Sequence, residues 1–360
     1  WLKEPFQNGG RQEYNLNMNG GTDNTSAFMS LSYLDDKGYI VNSDFTRLSA
    51  RVKVDQKLGE NIKAGANISY AKTGANSPID QEGGTNYSNM FMFSQMIAPI
   101  YPVYSYDIET GAPLMDAKGN KQYDFGSGLV KNGASTSNTR TWAPQQNPLY
   151  TQNENINKTT VDNLSARAYA DIKFLKDFKL TVNFAYDVFN SQATQFATPL
   201  AGDALGYGYG YKEATNYAAL NLNQLLTYTK KFGLHDINVL VGHESKSDEF
   251  WYLYGGKKNF YDPYNPEFAN AGTTTELTSY TSQYKIEGYL SRAEYNYNDR
   301  YYASASFRRD GSSKFAPDVR WGNFWSVGGA WRIKEESFLN DIDAISNLKI
   351  KSSYGTQGND

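Results

Sequence analysis

The chain has 360 residues, with 35 Lys and Arg against 38 Asp and Glu, a formal net charge of −3, and no cysteine. This balance, without a basic block or an acidic tail, offers no nucleic-acid-binding surface, and the missing cysteines exclude disulfide scaffolds and thiolate metal sites. The 29 Tyr, 19 Phe and 6 Trp at a mean hydropathy of −0.64 exclude a helical membrane protein: apolar residues are interleaved with polar ones, and the longest apolar-leaning run, residues 90–100, is broken by Ser94, Gln95 and Pro99, far short of the ~20 residues a spanning helix needs.

Alternation of apolar and polar residues at period two marks strands that divide two environments. Residues 14–20 set Tyr14, Leu16 and Met18 against Asn15, Asn17 and Asn19, and after a turn at 21–24, Ala27, Met29, Leu31 and Tyr33 share a face. Residues 45–58 discriminate best, with Leu48, Ala50, Val52 and Val54 on one side and Arg47, Ser49, Arg51, Lys53 and Asp55 on the other. A Lys or Arg facing lipid at mid-bilayer costs about 2–4 kcal/mol, so these cations turn their face toward water. A turn at 59–61 leads to residues 62–72, where Ile62, Ala64, Ala66, Ile68 and Tyr70 align. Over residues 73–159 the alternation stops. This stretch, rich in Gly, Pro and aromatic residues, predicts an ordered excursion containing a short helix over 86–97 that ends before Pro99. Strands resume at 161–172, 180–186, 217–230 and 236–250, then at 288–297, 301–308, 321–333 and 348–354.

About 12 strands result. The connections near 21, 60, 175, 232 and 299 are short, with a moderately longer one at 334–347, whereas those at 35–44, 73–159, 187–216, 251–275 and 310–320 are long. This sorting belongs to an all-β, antiparallel up-and-down transmembrane β-barrel, with short turns inside and long loops outside. Residues 1–360 are therefore expected to be part of one barrel domain, with 73–159 as a long extracellular loop insertion. The chain opens at Trp1 without a signal peptide and ends just as a strand begins, so we expect it to be a piece of a longer chain.

Several segments carry a family likeness: Gly20-Gly21-Thr22-Asp23 with Leu31-Ser32-Tyr33-Leu34, Phe45-Thr46-Arg47, Ala98-Pro99-Ile100-Tyr101-Pro102-Val103-Tyr104, Arg308-Arg309-Asp310-Gly311-Ser312-Ser313-Lys314-Phe315 with Arg320-Trp321-Gly322, and Ser353-Tyr354-Gly355-Thr356-Gln357-Gly358-Asn359. From near residue 14 to the C-terminal end, the chain resembles the barrel of SusC/RagA-type TonB-dependent outer-membrane transporters of Bacteroidetes. The segment 308–315 with the following Arg-Trp-Gly is the most specific part. The resemblance implies a barrel of about 22 strands around a globular plug, of which this chain holds roughly half and no plug. It implies an outer-membrane location, a SusD-like surface lipoprotein as partner, TonB acting through the missing plug region, and import of a glycan, oligosaccharide or peptide. A siderophore or cobalamin receptor and a secreted β-rich carbohydrate-binding or adhesion module are the alternatives.

Substrate contacts are expected from Tyr101, Tyr104, Tyr106 and Trp142 in the long excursion, whose rings suit stacking on sugars or peptides. Arg292, Glu294 and Arg308, on the water-facing side of neighbouring strands, are the polar candidates. Against these readings stand a loop core of packed aromatics and a charge ladder that solvates the wall. Trp321, Trp325 and Trp331 share one face and read as an interface girdle. No catalytic residue, cofactor or metal site is expected. His235 and His243 stand in no nucleophile or ligand spacing, the Gly-x-Gly-x-Gly at 206–210 lacks the dinucleotide spacing, and Asp124-Phe125-Gly126 has no accompanying lysine strand or catalytic loop.

Overall fold

The structure, a computed structural model, describes residues 1–78, 87, 89–135, 140–339 and 342–358; Gly83, Gly84, Asn86 and Asn359 of the segments above lie outside them. The elements in chain order are β1 (Gly10–Gly21), β2 (Thr25–Lys37), β3 (Asp44–Leu58), β4 (Ile62–Asn76), α1 (Met90–Met96), β5 (Val130–Lys131), β6 (Ala134–Ser135), α2 (Pro148–Glu154), β7 (Ile156–Phe174), β8 (Phe178–Ala197), β9 (Tyr209–Phe232), β10 (His235–Phe260), β11 (Ala271–Tyr297), β12 (Tyr301–Ser312), β13 (Trp321–Arg332) and β14 (Lys349–Gly355). All but β5 and β6 form one 12-stranded antiparallel sheet in which each strand neighbours the next in sequence, and β1 and β14 are its two ends.

Register carries the alternation across the sheet. Leu16 stands opposite Leu31, Leu31 opposite Ala50, Ala50 opposite Tyr70, Tyr70 opposite Leu164, and Leu164 opposite Val188. In the far half, Ile237 faces Tyr295, Tyr295 faces Ala303, and Ala303 faces Gly329. A one-residue slip at any pair would swap the faces, so this registration, which shifts between β10 and β11 only at Gly256/Lys257 beyond the band, keeps one side apolar. In β4 the apolar set runs from Ile62 to Tyr70, close to the ~9–11 residues a tilted strand needs to cross a bilayer. Polar groups close it above: Lys72 Nζ lies 3.9 Å from Asp162, which also accepts from the Tyr70 hydroxyl.

A girdle of rings closes the band at the short-turn end. Phe178 packs 5.6 Å from Phe174 and 4.9 Å from Tyr228, His235 lies 5.1 Å from Phe232 and 4.9 Å from Tyr297, and Tyr301 stands 6.3 Å from Tyr297 and 6.4 Å from Trp331. Trp321, at the other end of β13, packs 6.1 Å from Tyr289, so the tryptophans of β13 mark both boundaries, as amphipathic rings do. Glu336, in the turn after β13, accepts from Tyr301 Oη at 2.5 Å and Trp331 Nε1 at 2.9 Å and pairs with Arg300 at 3.0 Å. These donors, the Tyr301 hydroxyl foremost, hold its carboxyl below the ordinary range. Glu336→Ala is expected to lower the melting temperature and to red-shift the tryptophan emission; unchanged values of both would show the clamp to be idle.

Two of the expected loops are largely strand. β8 and β9 leave only residues 198–208 between them instead of 187–216, and β10 and β11 leave 261–270 instead of 251–275. The reason is physical. Beyond Val241 the formerly apolar side of β10 continues as His243, Ser245, Ser247 and Glu249, because both sides meet water there. The backbone ladder persists while the hydropathy signal that announces it disappears.

The described residues of the connection 77–155 fold into a cap at the long-connection end of the sheet. Asn89 caps α1 by accepting from Met92 N at 2.9 Å, and Asn147, followed by Pro148, caps α2 by accepting from Tyr150 N at 3.2 Å. Most fully buried apolar side chains belong to the cap and the strand ends beside it: Met90, Phe93, Ile97, Ala143 and Leu149, then Phe196, Ala201, Phe260 and Ala271. The cap is tied down by Asn42 Nδ2 donating to Gln152 O (2.5 Å), Gln146 Nε2 to Asp203 (2.9 Å), Thr198 N to Asn155 (2.9 Å) and Trp1 Nε1 to Tyr101 O (3.1 Å).

Within the cap, Asp107 accepts from the backbone N–H groups of Thr110, Gly133 and Glu109, each at 3.0 Å. The Thr110 bond foremost holds its carboxyl below the ordinary 3.8. A carboxyl lowered on folding stabilises fully above its unfolded value and loses that contribution as pH falls through the folded one. Proteolysis of segment 77–155 is therefore expected to be flat from pH 8 to pH 5 and to accelerate below about pH 4. Asp107→Asn should raise cleavage at neutral pH and flatten the acid response; an unaltered acid response would assign it to other groups.

Candidate functional site

Through the band, the polar side of the sheet is a ladder of paired charges. Arg308 pairs with Asp310 at 2.7 Å and Glu244 at 3.0 Å, Arg292 with Glu294, Arg167 with Asp187 at 2.7 Å, and Lys53 with Asp55 at 2.9 Å. Glu294 also lines a hollow of about 670 Å³ near the short turns, with Asn238, Asn296, Tyr302, Ser304 and Lys351. Charges paired at these distances solvate a wall and leave few free to seize a ligand.

Beyond the band this side becomes aromatic. Tyr209, Tyr211 and Glu213 of β9, Phe250, Tyr252 and Tyr254 of β10, and Glu276 and Tyr280 of β11 share it, with Tyr252 opposite Tyr280 and Tyr254 opposite Glu213. Tyr211 and Tyr254 lie 5.8 Å apart and nearly parallel, at 16°. Tyr209 joins them at 5.7 Å from Tyr211 and 6.5 Å from Tyr207. Phe250, Tyr252 and Tyr280 form a second group with separations of 6.4, 5.4 and 5.9 Å. A Cβ at Gly256 would stand 2.9 Å from Tyr211 Cε1, so glycine there lets the Tyr211 ring lie across β10. Beside it, Tyr207, Tyr209, Tyr211, Lys258, Asn259 and Thr275 line an open hollow of about 560 Å³.

No family model matches the chain. The TonB-dependent receptor SusC of Bacteroides thetaiotaomicron is 28% identical over 379 residues, covering 99% of this chain and 34% of that protein. TonB-dependent receptor P3 of Formosa agariphila is 25% identical over 368 residues, covering 100% of this chain and 34% of the relative. The RagAB peptide transporter superposes with a TM-score of 0.73 at 22% identity, over 100% of this chain and 38% of that one. Over its whole length the chain is similar to SusC- and RagA-type TonB-dependent receptors. It spans about a third of the length of the curated relatives it matches. In a barrel of this fold, such a wall turns its apolar side to lipid and its polar side to the lumen.

The sequence-predicted site residues fall into two separate places. Arg292, Glu294 and Arg308 lie on the lumen side of β11 and β12 within the band. Tyr101, Tyr104, Tyr106 and Trp142 lie in the cap, where most are engaged in packing. Trp142 stands 5.0 Å from Phe93 and 5.4 Å from Tyr87, Tyr104 stands 5.0 Å from Tyr123, and the Arg140 guanidinium lies 5.7 Å from the Tyr101 ring. Tyr106 is exposed. The tyrosines of β9–β11 were not singled out from the sequence. Their signal is present, as Tyr207-x-Tyr209-x-Tyr211 and Phe250-x-Tyr252-x-Tyr254, but the first run lies inside the expected loop 187–216 and the second crosses from an expected strand into the expected loop 251–275.

Proposed function

We propose that the polypeptide carrying this chain imports a nutrient, a glycan, oligosaccharide or peptide, across the outer membrane as the SusC-like component of a complex with a SusD-like surface lipoprotein. TonB acts through a plug region outside this chain, and the cap, residues 77–155, faces the cell exterior. The observation that carries this reading is the continuous lumen side: a ladder of paired charges through the band that rises into a tyrosine-faced wall beyond it. The names of the relatives, a TonB-dependent receptor SusC and a RagAB peptide transporter, support the same direction. Binding and passage suffice for this role, with no catalytic step. On this reading Tyr106 in the cap and Arg292, Glu294 and Arg308 on the lumen side would meet the substrate along its route.

Deleting the gene and following uptake of labelled oligosaccharides and peptides tests the reading, together with affinity purification of the tagged protein. Loss of uptake of one class, with a surface lipoprotein co-purifying, is the expected result. Normal uptake of both classes, with loss only of iron-chelate or cobalamin uptake, would overturn it.

A further inference from the structure

We propose that the tyrosine-lined inner side of β9–β11 beyond the band is a stacking site for neutral oligosaccharides, an assignment that rests on the import reading above. Aromatic residues in a folded protein ordinarily pack into a core, but Tyr280 is 52% exposed and Tyr207 37% exposed. The rings spread over three paired strands, with Tyr211 and Tyr254 stacked nearly parallel, 5.8 Å apart, among them. The negative face of an aromatic ring attracts polarised C–H groups, and the C–H faces of pyranose rings offer these in a row.

The charges at this place favour sugars without carboxylate or sulfate groups. Glu213, which accepts from Tyr252 Oη at 3.3 Å, and Glu276 supply carboxylates that accept hydroxyl hydrogens. Lys258 is the one charged group lining the adjacent hollow. The nearby Lys246 is committed to Asp248 at 2.7 Å, and Lys212, on the opposite side of β9, pairs with Glu267 at 2.6 Å. A polyanionic glycan would call for a guanidinium cluster, and among the described residues β9 and β10 carry no arginine and β11 only Arg292, within the band. An extended peptide would call for free main-chain groups, yet β10 is hydrogen-bonded along the patch to β9 on one side and β11 on the other.

The test uses the complete protein purified in detergent and calorimetric titration with three probes: a neutral hexose hexasaccharide, a uronic-acid hexasaccharide and a hexapeptide mixture. The neutral probe is expected to bind. Tyr252→Ala with Tyr280→Ala should weaken it roughly tenfold or more, as losing two ring contacts does, and Tyr252→Phe should retain most of the affinity. Trp251→Ala, on the opposite side of β10, should leave binding unchanged. Equal melting temperatures for these proteins exclude misfolding as the cause. Preference for the uronic-acid or peptide probe, or undiminished binding by the double variant, overturns the assignment. Uptake in cells separates the two levels: normal import by the double variant removes the site and leaves import standing, whereas unchanged uptake after gene deletion removes import itself.

Discussion

Arg140→Met is expected to unfold the cap while the wall stays assembled. The Arg140 side chain is fully buried beside Asp124 at 3.4 Å. Nε donates to Trp142 O at 3.0 Å, Nη2 donates to Ala143 O at 2.8 Å and Gln146 O at 2.5 Å, and the guanidinium lies 5.6 Å from the Phe93 ring. Burial pushes the Asp124 carboxyl up and the Arg140 guanidinium down from their ordinary values, because both charges are held away from water; the guanidinium nonetheless remains charged. Methionine fills much of the volume but leaves a buried carboxylate and three carbonyls without their donor. Removing one partner of such a pair costs about 3–5 kcal/mol, which should speed tryptic cleavage within 77–155 by roughly a hundredfold or more. Arg140→Lys should rescue little, since a compact ammonium cannot reproduce the fork. Gly126, at φ +68° with its missing Cβ position 2.8 Å from Arg140 Cβ, should show the same defect as alanine. Unchanged cleavage in Arg140→Met would show that the cap stands without its buried ion pair.

A charge placed in the apolar band should do comparable damage to the wall. Val52 stands between Met29 and Ile68 in register and is 47% exposed on the apolar side. Val52→Arg is expected to cost about 2–4 kcal/mol in a bilayer, read as a lower urea midpoint in vesicles and loss of the heat-modifiable form on gels. Lys53→Arg, one residue on and facing the lumen, should have no measurable effect. Equal tolerance of both would mean that the band does not meet lipid.

The wall was readable from the sequence because a bilayer imposes a strong filter. Where one side must be apolar, as from Ile62 to Tyr70, alternation is enforced at every second residue and the strand announces itself. Past the band that filter lapses. The outer parts of β8–β11 are built from alternating residues that face water on both sides, so Ser245, Ser247 and Glu249 look like loop although β10 continues to Phe260. The cap escaped a detailed reading for another reason. Its helices have seven residues each, too short for a helical period to emerge, and its organising contact joins Asp124 to Arg140 across a stretch with no regular spacing. Of the candidate site, the lumenal charges could be placed by parity alone, whereas the tyrosine wall depended on knowing where the strands end.

Cysteine scanning of β3 tests most directly whether this sheet is a membrane wall. The chain has no cysteine, so single cysteines at residues 47–54 can be labelled with a fluorophore in the complete protein, any thiol outside this chain being replaced first, after reconstitution with brominated lipid. Strong quenching at 48, 50, 52 and 54 and weak quenching at 47, 49, 51 and 53 is the predicted result. Uniform quenching, or the opposite alternation, would contradict it.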